Sequence, residues 1–463
     1  MDSAAPHFAA LAEAVVGEVI TPADATYDEA RAIWNGTIDR RPAVIVRCTG
    51  TADVVAALEF AQQESLPVAV RGGGHSVSGL STVDDGLVID LSPMKAVEVD
   101  VENRRAFAQP GLLGSELDHA TQAKGLGTTL GTVSHTGIAG LTLGGGMGWL
   151  MRRHGLACDN VRSFEVVLAD GRVTRVADDS EPDLFWALRG GGGQFAVVTQ
   201  FEYELHEFGP EVALTQVAFD PADALPALRA ARDLARGTAR DRDLWIGFME
   251  LPHDPELDEV LRGRPVFVVM GVSIAPEDAD GGWLGPLFDH GPLFGHTERC
   301  PYVVLQSMFD ESNAHGVLAY SKGAFVADLS DEALEVFARQ AAGVPHGSGD
   351  TLVYLQQMGG RVAEIPEADS AVPARSADYV LNVIARWADP QHADDMREWA
   401  RGLIAALAPH TLGPSPVNFD GDTVRDARRV VDSGFYGGIA ERLRGVKEKY
   451  DPNNVFGSLR LPL

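Results

Sequence analysis

The sequence predicts an α+β fold, with a glycine-rich part and a large aromatic-rich insertion. Three observations carry that prediction. A helix-spaced segment lies between two short apolar strands, the second of which runs into Arg71-Gly72-Gly73-Gly74-His75-Ser76. Glycine runs recur at 144–146 and 190–193 and then cease. From about Glu211 amphipathic helices alternate with apolar strands, as expected for an antiparallel sheet covered on one face.

In order along the chain, residues 8–18 place Phe8, Leu11, Ala12, Val15 and Val16 on one helical face. A second helix runs from Thr51 to about Gln63, with Thr51 or Asp53 as N-cap and Val54, Val55, Leu58 and Ala61 as its apolar stripe. Strands at 43–47 and 68–70 flank it, a βαβ pattern whose second strand delivers the glycine turn. Strands follow at 87–91, 96–101 and 105–108, then a helix at 113–123. Segments 161–168 and 172–176 flank Ala169-Asp170-Gly171, a hairpin signal, and 197–204 alternates. Beyond 211, helices are expected at 222–236, 331–342 and 391–407. Strands are expected at 212–218, 244–250, 264–274, 351–357 and 378–385.

Composition narrows the function. A chain of 463 residues, 45% hydrophobic and 22% charged, buries a sizeable core and suggests two or three domains, or one with a large insertion. The net charge of −28 argues against nucleic acid or an anionic membrane as partner and favours neutral or cationic small substrates. Cys48, Cys158 and Cys300 are odd in number and far apart, with no zinc spacing, so no metal site and a reducing compartment are expected. The N-terminus carries Asp2, Glu13 and Glu18 and no basic region, and no apolar run reaches about 18 residues. A cytoplasmic enzyme without a membrane span is the expectation. The chain has no Gly-x-Gly-x-x-Gly, P-loop or nucleophile elbow.

The glycine turn carries the chemistry. Three glycines allow positive φ and leave no Cβ between main chain and ligand. Successive N–H groups in such a turn form a concave anion site suited to a pyrophosphate. His75 stands at the edge of that cradle. Further blocks follow: Gly131-Thr132-Val133-Ser134-His135-Thr136-Gly137-Ile138-Ala139-Gly140, Leu143 to Trp149, His154 to Val161, Asp183 to Gly193, Val417-Asn418-Phe419 and Lys449 to Phe456.

This ordered series, from about Trp34 to Phe456, resembles the FAD-linked oxidases related to vanillyl-alcohol oxidase and berberine bridge enzyme. The resemblance implies a two-subdomain FAD-binding domain of the PCMH type, with an inserted α+β substrate domain over an antiparallel sheet. The implied boundaries are 1–210 for the FAD domain (core about 38–208), 211–410 for the insertion and 411–463 for a segment returning to the FAD domain. It implies FAD bound covalently through His75. Arg71, Gly72, Gly73, Gly74, Ser76 and Gly79 would form the diphosphate cradle. Gly131, Thr132, Ser134, His135, Gly137 and Gly140 would form a second wall, and Asn160, Val198 and Asn418 would complete the cofactor set.

Departures from the family pattern refine this. A second, cysteinyl link found in many relatives falls on Val133, and Cys158 reads as a small buried hydrophobe, so the chain resembles the singly attached branch. Sugar-oxidising relatives place a catalytic tyrosine where Pro416 stands, which demotes sugar oxidation. Thr136 falls at the oxygen-facing side of the flavin. The strand around 352–357 lines the cavity in relatives; its alternation puts Tyr354 and Gln356 on one face and Gln357 on the other. Tyr354 or a glutamine is expected to hold a substrate carbonyl or hydroxyl, with Tyr302, Tyr320 and His315 as looser candidates.

The function implied is an FAD-dependent oxidase acting on a small organic substrate by hydride transfer to covalent flavin, with O2 as acceptor and H2O2 as product, in secondary metabolism or catabolism. Two alternatives stand: a flavin monooxygenase or oxidative cyclase tailoring a polyketide-like metabolite, and a redox-inactive flavin-binding scaffold. The expected partners are the small-molecule substrate and O2, and a homodimer stays open.

Overall fold

Strands Val44–Arg47, Leu87–Asp90 and Val68–Arg71 are short apolar runs, and they pair in parallel as strands covered on both faces do. They belong to a computed structural model that describes residues 8–457, apart from 252, 254, 256, 257, 346–348, 415, 416 and 423–436. Leu87–Asp90 lies between the other two, so the strands flanking helix Thr51–Gln63 are not neighbours. The simple βαβ pattern is corrected by one inserted strand.

The start of the chain also differs from expectation. The first helix ends at Ala14, and Glu18–Ile20 is a strand antiparallel to Val44–Arg47. Between them a Cβ on Gly17 would sit 2.0 Å from the carbonyl oxygen of Arg47, so the chain passes too close for a continuing helix. Val16 is left 88% exposed instead of packed. Asp53 causes this bend. Its carboxylate accepts from the N–H groups of Val16 (2.8 Å), Gly17 (3.1 Å) and Thr49 (2.8 Å), while Gly50 takes the N-cap position. Neither Thr51 nor Asp53 is the cap.

A second, antiparallel sheet orders Val97–Asp100, Arg105–Ala108, Val197–Glu204, Val161–Val167 and Val173–Ala177. The third sheet has eight antiparallel strands: Phe294–Pro301, Glu211–Phe219, Pro265–Ser273, Arg242–Glu250, Leu352–Gln357, Tyr379–Trp387, Leu318–Val326 and Thr411–Pro414. Helices Ala224–Arg236, Asp331–Ala341 and Ala393–Leu407 cover one face, where Val353, Leu355, Leu381 and Val383 meet Phe337 and Leu403. Truncating a buried phenylalanine such as Phe337 to alanine costs about 3–5 kcal/mol. The opposite face carries Trp245, Leu352 and Tyr354. Phe294–Pro301, Leu318–Val326 and Thr411–Pro414 escape the sequence reading. The first is an edge strand whose His296, Glu298 and Arg299 point to solvent and erase the apolar signal.

Helix Gly437–Tyr450 packs against helix Pro182–Leu188, on the five-stranded-sheet side. Arg442 lies 3.1 Å from Asp183, the Tyr450 hydroxyl donates to Glu181 (2.5 Å), and Lys447 donates to the Gln194 carbonyl (2.7 Å). Among the described residues no helix is long and apolar enough to cross a membrane.

Candidate active site

Two glycine loops meet without side chains between them. A Cβ on Gly73 would lie 2.5 Å from the Cα of Gly137, and one on Gly137 would lie 2.4 Å from the Gly73 nitrogen. Gly74 then takes φ +69°, a conformation that costs a side-chain-bearing residue about 1 kcal/mol or more, and turns the chain into His75.

The His75 ring is held by its neighbours. The Trp34 indole stacks on it with centroids 4.5 Å apart, and His135 and His315 lie at 5.0 and 6.2 Å. Burial, reinforced by those two imidazoles and by Arg386, pushes the His75 pKa down to about 3. The ring is neutral at physiological pH. Its Nε2 is buried and has no partner among the described residues.

A cavity of about 300 Å³ opens beside this ring. Gly72, Gly73, Gly74, His75 and Ser76 line it on one side, and Gly131, Thr132, Thr136, Gly137 and Gly140 on another, with Val198 and Asn418. The Asn418 amide donates to the Leu141 carbonyl (3.1 Å) and lies against Gly144. The eight-stranded sheet contributes Trp245, Leu352, Tyr354, Asn382 and Ile384. Burial pushes the Tyr354 hydroxyl up to about 12, so it stays protonated.

Other expected site residues sit elsewhere. Arg71 turns its guanidinium to Asp90 (2.7 Å) and to the Ala30 carbonyl, where it braces the strand rather than the cavity. Gly79, at φ +78°, packs against Ile38 outside the lining. Ser134 gives its N–H and hydroxyl to Asp310 (2.8 and 2.5 Å), and His135 stands behind His75 rather than in the wall. Asn160 donates to the Leu156 carbonyl (2.8 Å) and meets His206 at 2.6 Å, so it fixes its own loop.

Gln356 shares the face of Tyr354 but lies one residue pair further along, 3.4 Å from Asp243 and away from the cavity. Gln357 points to the helical side and donates to Ala235. Tyr302 is buried near Asp118, Tyr320 binds Asp422, and His315 lies beside His135. Cys158 is buried and outside the cavity wall. Pro416 lies outside the described residues.

Sequence reasoning missed Trp34, Asn313 and Asn382, all of which line the cavity. Alternation along Tyr379–Trp387 puts Asn382 on the face of Val380 and Ile384 and was a usable signal. Trp34 and Asn313 meet only through the fold: the indole N–H donates to the Asn313 carbonyl (2.6 Å) across 279 residues.

The wall fits a flavin dinucleotide. Main chain free of Cβ atoms lines it at the two glycine loops, an apolar stretch includes Leu143, Ala196 and Val198, and the neutral imidazole of His75 stands at one edge. Comparison with known proteins agrees. The family described as FAD binding domain matches residues 42–177, and that described as berberine and berberine like matches 425–458. The FAD-linked oxidoreductase pgmH of Aspergillus terreus is 30% identical over 474 residues, spanning 96% of this chain and 94% of that one. The crystal structure of 6-hydroxy-D-nicotine oxidase from Arthrobacter nicotinovorans superposes with a TM-score of 0.84 at 26% identity, covering 96% of both chains. Glucooligosaccharide oxidase from Acremonium strictum, which carries a 6-S-cysteinyl, 8α-N1-histidyl FAD, shares the fold with a TM-score of 0.84 at 23% identity and covers 98% of this chain and 99% of its own. With its glycine loops, its cavity and its full-length relatives in agreement, the chain belongs to the berberine-bridge-enzyme-like family of FAD-linked oxidoreductases.

Proposed function

We propose that the chain is an oxidase that holds FAD covalently through His75 and oxidises a small organic molecule at a C–O, C–N or C–C bond, in secondary metabolism or catabolism. The neutral His75 imidazole in the wall between the two glycine loops carries this reading. A neutral ring keeps the lone pair that a carbon–nitrogen bond requires. With Val133 in place of a cysteine and Cys158 outside the wall, one link is expected.

When bound, FAD supplies the two-electron acceptor for the C–H bond, and O2 restores it with release of H2O2. The chain supplies position and surroundings. The Gly72–Gly74 and Gly131–Gly140 loops fix the cofactor, and Trp34 fixes the plane of His75. Trp245 and Phe309 exclude water from the sheet side of the cavity, where Tyr354 presents a hydrogen-bond donor. In the same reading, residues 1–210 and 411–463 form the cofactor half and 211–410 the substrate half, with the exception that strand Thr411–Pro414 pairs at the edge of the eight-stranded sheet.

Thr136 in the cavity wall supports a second reading, an oxygenase that retains oxygen in its product. Intact mass and acid precipitation test the attachment: the precipitate stays yellow and the mass exceeds the polypeptide by one FAD. A peroxide assay separates the readings, since an oxidase releases one H2O2 per substrate oxidised.

A further inference from the structure

The sheet side of the cavity is uncharged. In a protein of net charge −28, no Asp, Glu, Lys or Arg lines the cavity among the described residues. An ionic substrate would therefore lose its hydration there without a charged contact in the wall, the cation Arg386 being spent behind it on Asn313 (2.5 Å). The wall is also aromatic, with its rings packed on one another. Trp245 and Tyr354 stack with centroids 4.1 Å apart and planes 8° from parallel, and Phe309 lies 5.5 Å from Trp245 at 15°.

Among the polar residues of this side, which also include Asn313 and Ser321, Tyr354 and Asn382 are bonded to each other. Asn382 is 2% exposed, and its Nδ2 donates to the Tyr354 hydroxyl oxygen at 3.1 Å. This spends the tyrosine's acceptor and leaves its O–H free to donate. The Asn382 Oδ1 is buried and has no partner among the described residues, and Asn382 is one of the residues lining the cavity. A buried acceptor left without a partner is destabilising, and a ligand donor would remove that cost.

We propose that Tyr354 and Asn382 act as a donor–acceptor pair that selects an uncharged substrate with a hydroxyl group on an apolar body. A hydroxyl satisfies both partners, donating to Asn382 Oδ1 and accepting from Tyr354. A carboxylate offers no donor, an ammonium no acceptor, and an ether or carbonyl only an acceptor. When the alcohol is oxidised to a carbonyl, its carbinol hydride passes to the flavin of the proposed function and its hydroxyl proton to water, so the carbonyl oxygen faces Asn382 Oδ1 with neither carrying a proton. The pair thus favours the alcohol over its oxidation product and assists release.

This selection rests on the reading of the cavity as the flavin site, yet it is testable without turnover. Oxidised holoenzyme is titrated with 2-naphthol, 2-methoxynaphthalene, 2-naphthoate and 2-naphthylmethylammonium, following the flavin spectrum and tryptophan fluorescence. 2-Naphthol has no carbinol C–H to lose, so it reports recognition alone. It should bind at least tenfold more tightly than each of the other three. Asn382→Leu should bring 2-naphthol and 2-methoxynaphthalene to within twofold of each other, whereas Tyr354→Phe, which removes a donor both ligands use, should weaken both by a similar factor. Equal binding of those two ligands by the wild-type protein, or tighter binding of either ion, overturns the proposal whatever becomes of the variants. Loss of flavin reduction by every alcohol, with the 2-naphthol preference intact, overturns the proposed oxidation and leaves this selection standing.

Discussion

The Trp34 indole lies over the His75 imidazole with centroids 4.5 Å apart and planes 18° from parallel. Its ring N–H is committed to the Asn313 carbonyl, so the indole cannot swing away without breaking a buried hydrogen bond. The orientation of His75 is therefore set from a residue 41 positions earlier and a strap 238 positions later. On this basis His75→Ala should abolish covalent attachment: after acid precipitation all flavin appears in the supernatant. Trp34→Leu should retain bound FAD but lower the covalent fraction at least threefold, read from the same precipitate. Full attachment in the Trp34 variant would mean that the stack does not orient the ring.

Two glycines of the cradle should respond oppositely to alanine. At Gly73 a Cβ would collide with the Gly137 backbone, so Gly73→Ala should destabilise the protein by about 1–3 kcal/mol in chemical denaturation. At Gly140 a Cβ meets nothing within 4 Å and its position lines the cavity, so Gly140→Ala should leave apoprotein stability within about 0.5 kcal/mol. In a His75→Ala background, Gly140→Ala should raise the dissociation constant for FAD at least tenfold. Unchanged FAD affinity would place the cofactor off this wall.

Asp118 gives a pH test with a definite sign. Burial pushes its carboxyl up to about 7, above the value of about 3.9 expected in the unfolded chain. The stability it contributes is complete below the unfolded value and is lost as pH rises towards about 7. Asp118→Asn removes the ionisation, and its amide oxygen still accepts from Gln306 (2.8 Å in the wild type). The variant should match wild type near pH 4 and exceed it by about 2–4 kcal/mol at pH 8, measured by urea denaturation. A constant difference across that range would exclude the linkage.

Thr136 stands in the cavity wall, where a larger side chain fills space that O2 needs. Thr136→Leu should slow reoxidation of photoreduced enzyme at least tenfold, about 1.4 kcal/mol in barrier, with a much smaller effect on anaerobic reduction. Stopped-flow mixing with aerated buffer measures this, and equal rates would make Thr136 a packing residue.

Much of the fold was legible because burial imposes a period. Leu352–Gln357 and Tyr379–Trp387 read correctly as strands, and the split of Tyr354 from Leu355 across the sheet follows from alternation alone. The glycine loops were legible because close backbone approach leaves no other residue type. Polar residues were harder to place. Ser134, Asn160 and Gln356 look like ligand contacts in a motif, yet each finds a partner inside the protein, in Asp310, Leu156 and Asp243. A side chain's partner depends on what the fold brings beside it, and local sequence carries no record of that. Asp53 shows the same limit, capping nothing and instead tying down Val16 and Gly17.

The strap that sets Trp34 has a further consequence for how the protein matures. Gly36 donates to the Val317 carbonyl, Gly316 to Trp34, and the Asn35 amide to Ala319, while Ser134 is tied to Asp310. All of these contacts span more than 170 residues, and those to residues 34–36 span about 280. Contacts of such sequence separation form late, because loop closure must precede them. A ribosome-bound chain therefore lacks a finished His75 environment until residues near 320 have emerged. A truncation before that point leaves Trp34 beside His75 but takes away the Asn313 carbonyl that holds the indole in place.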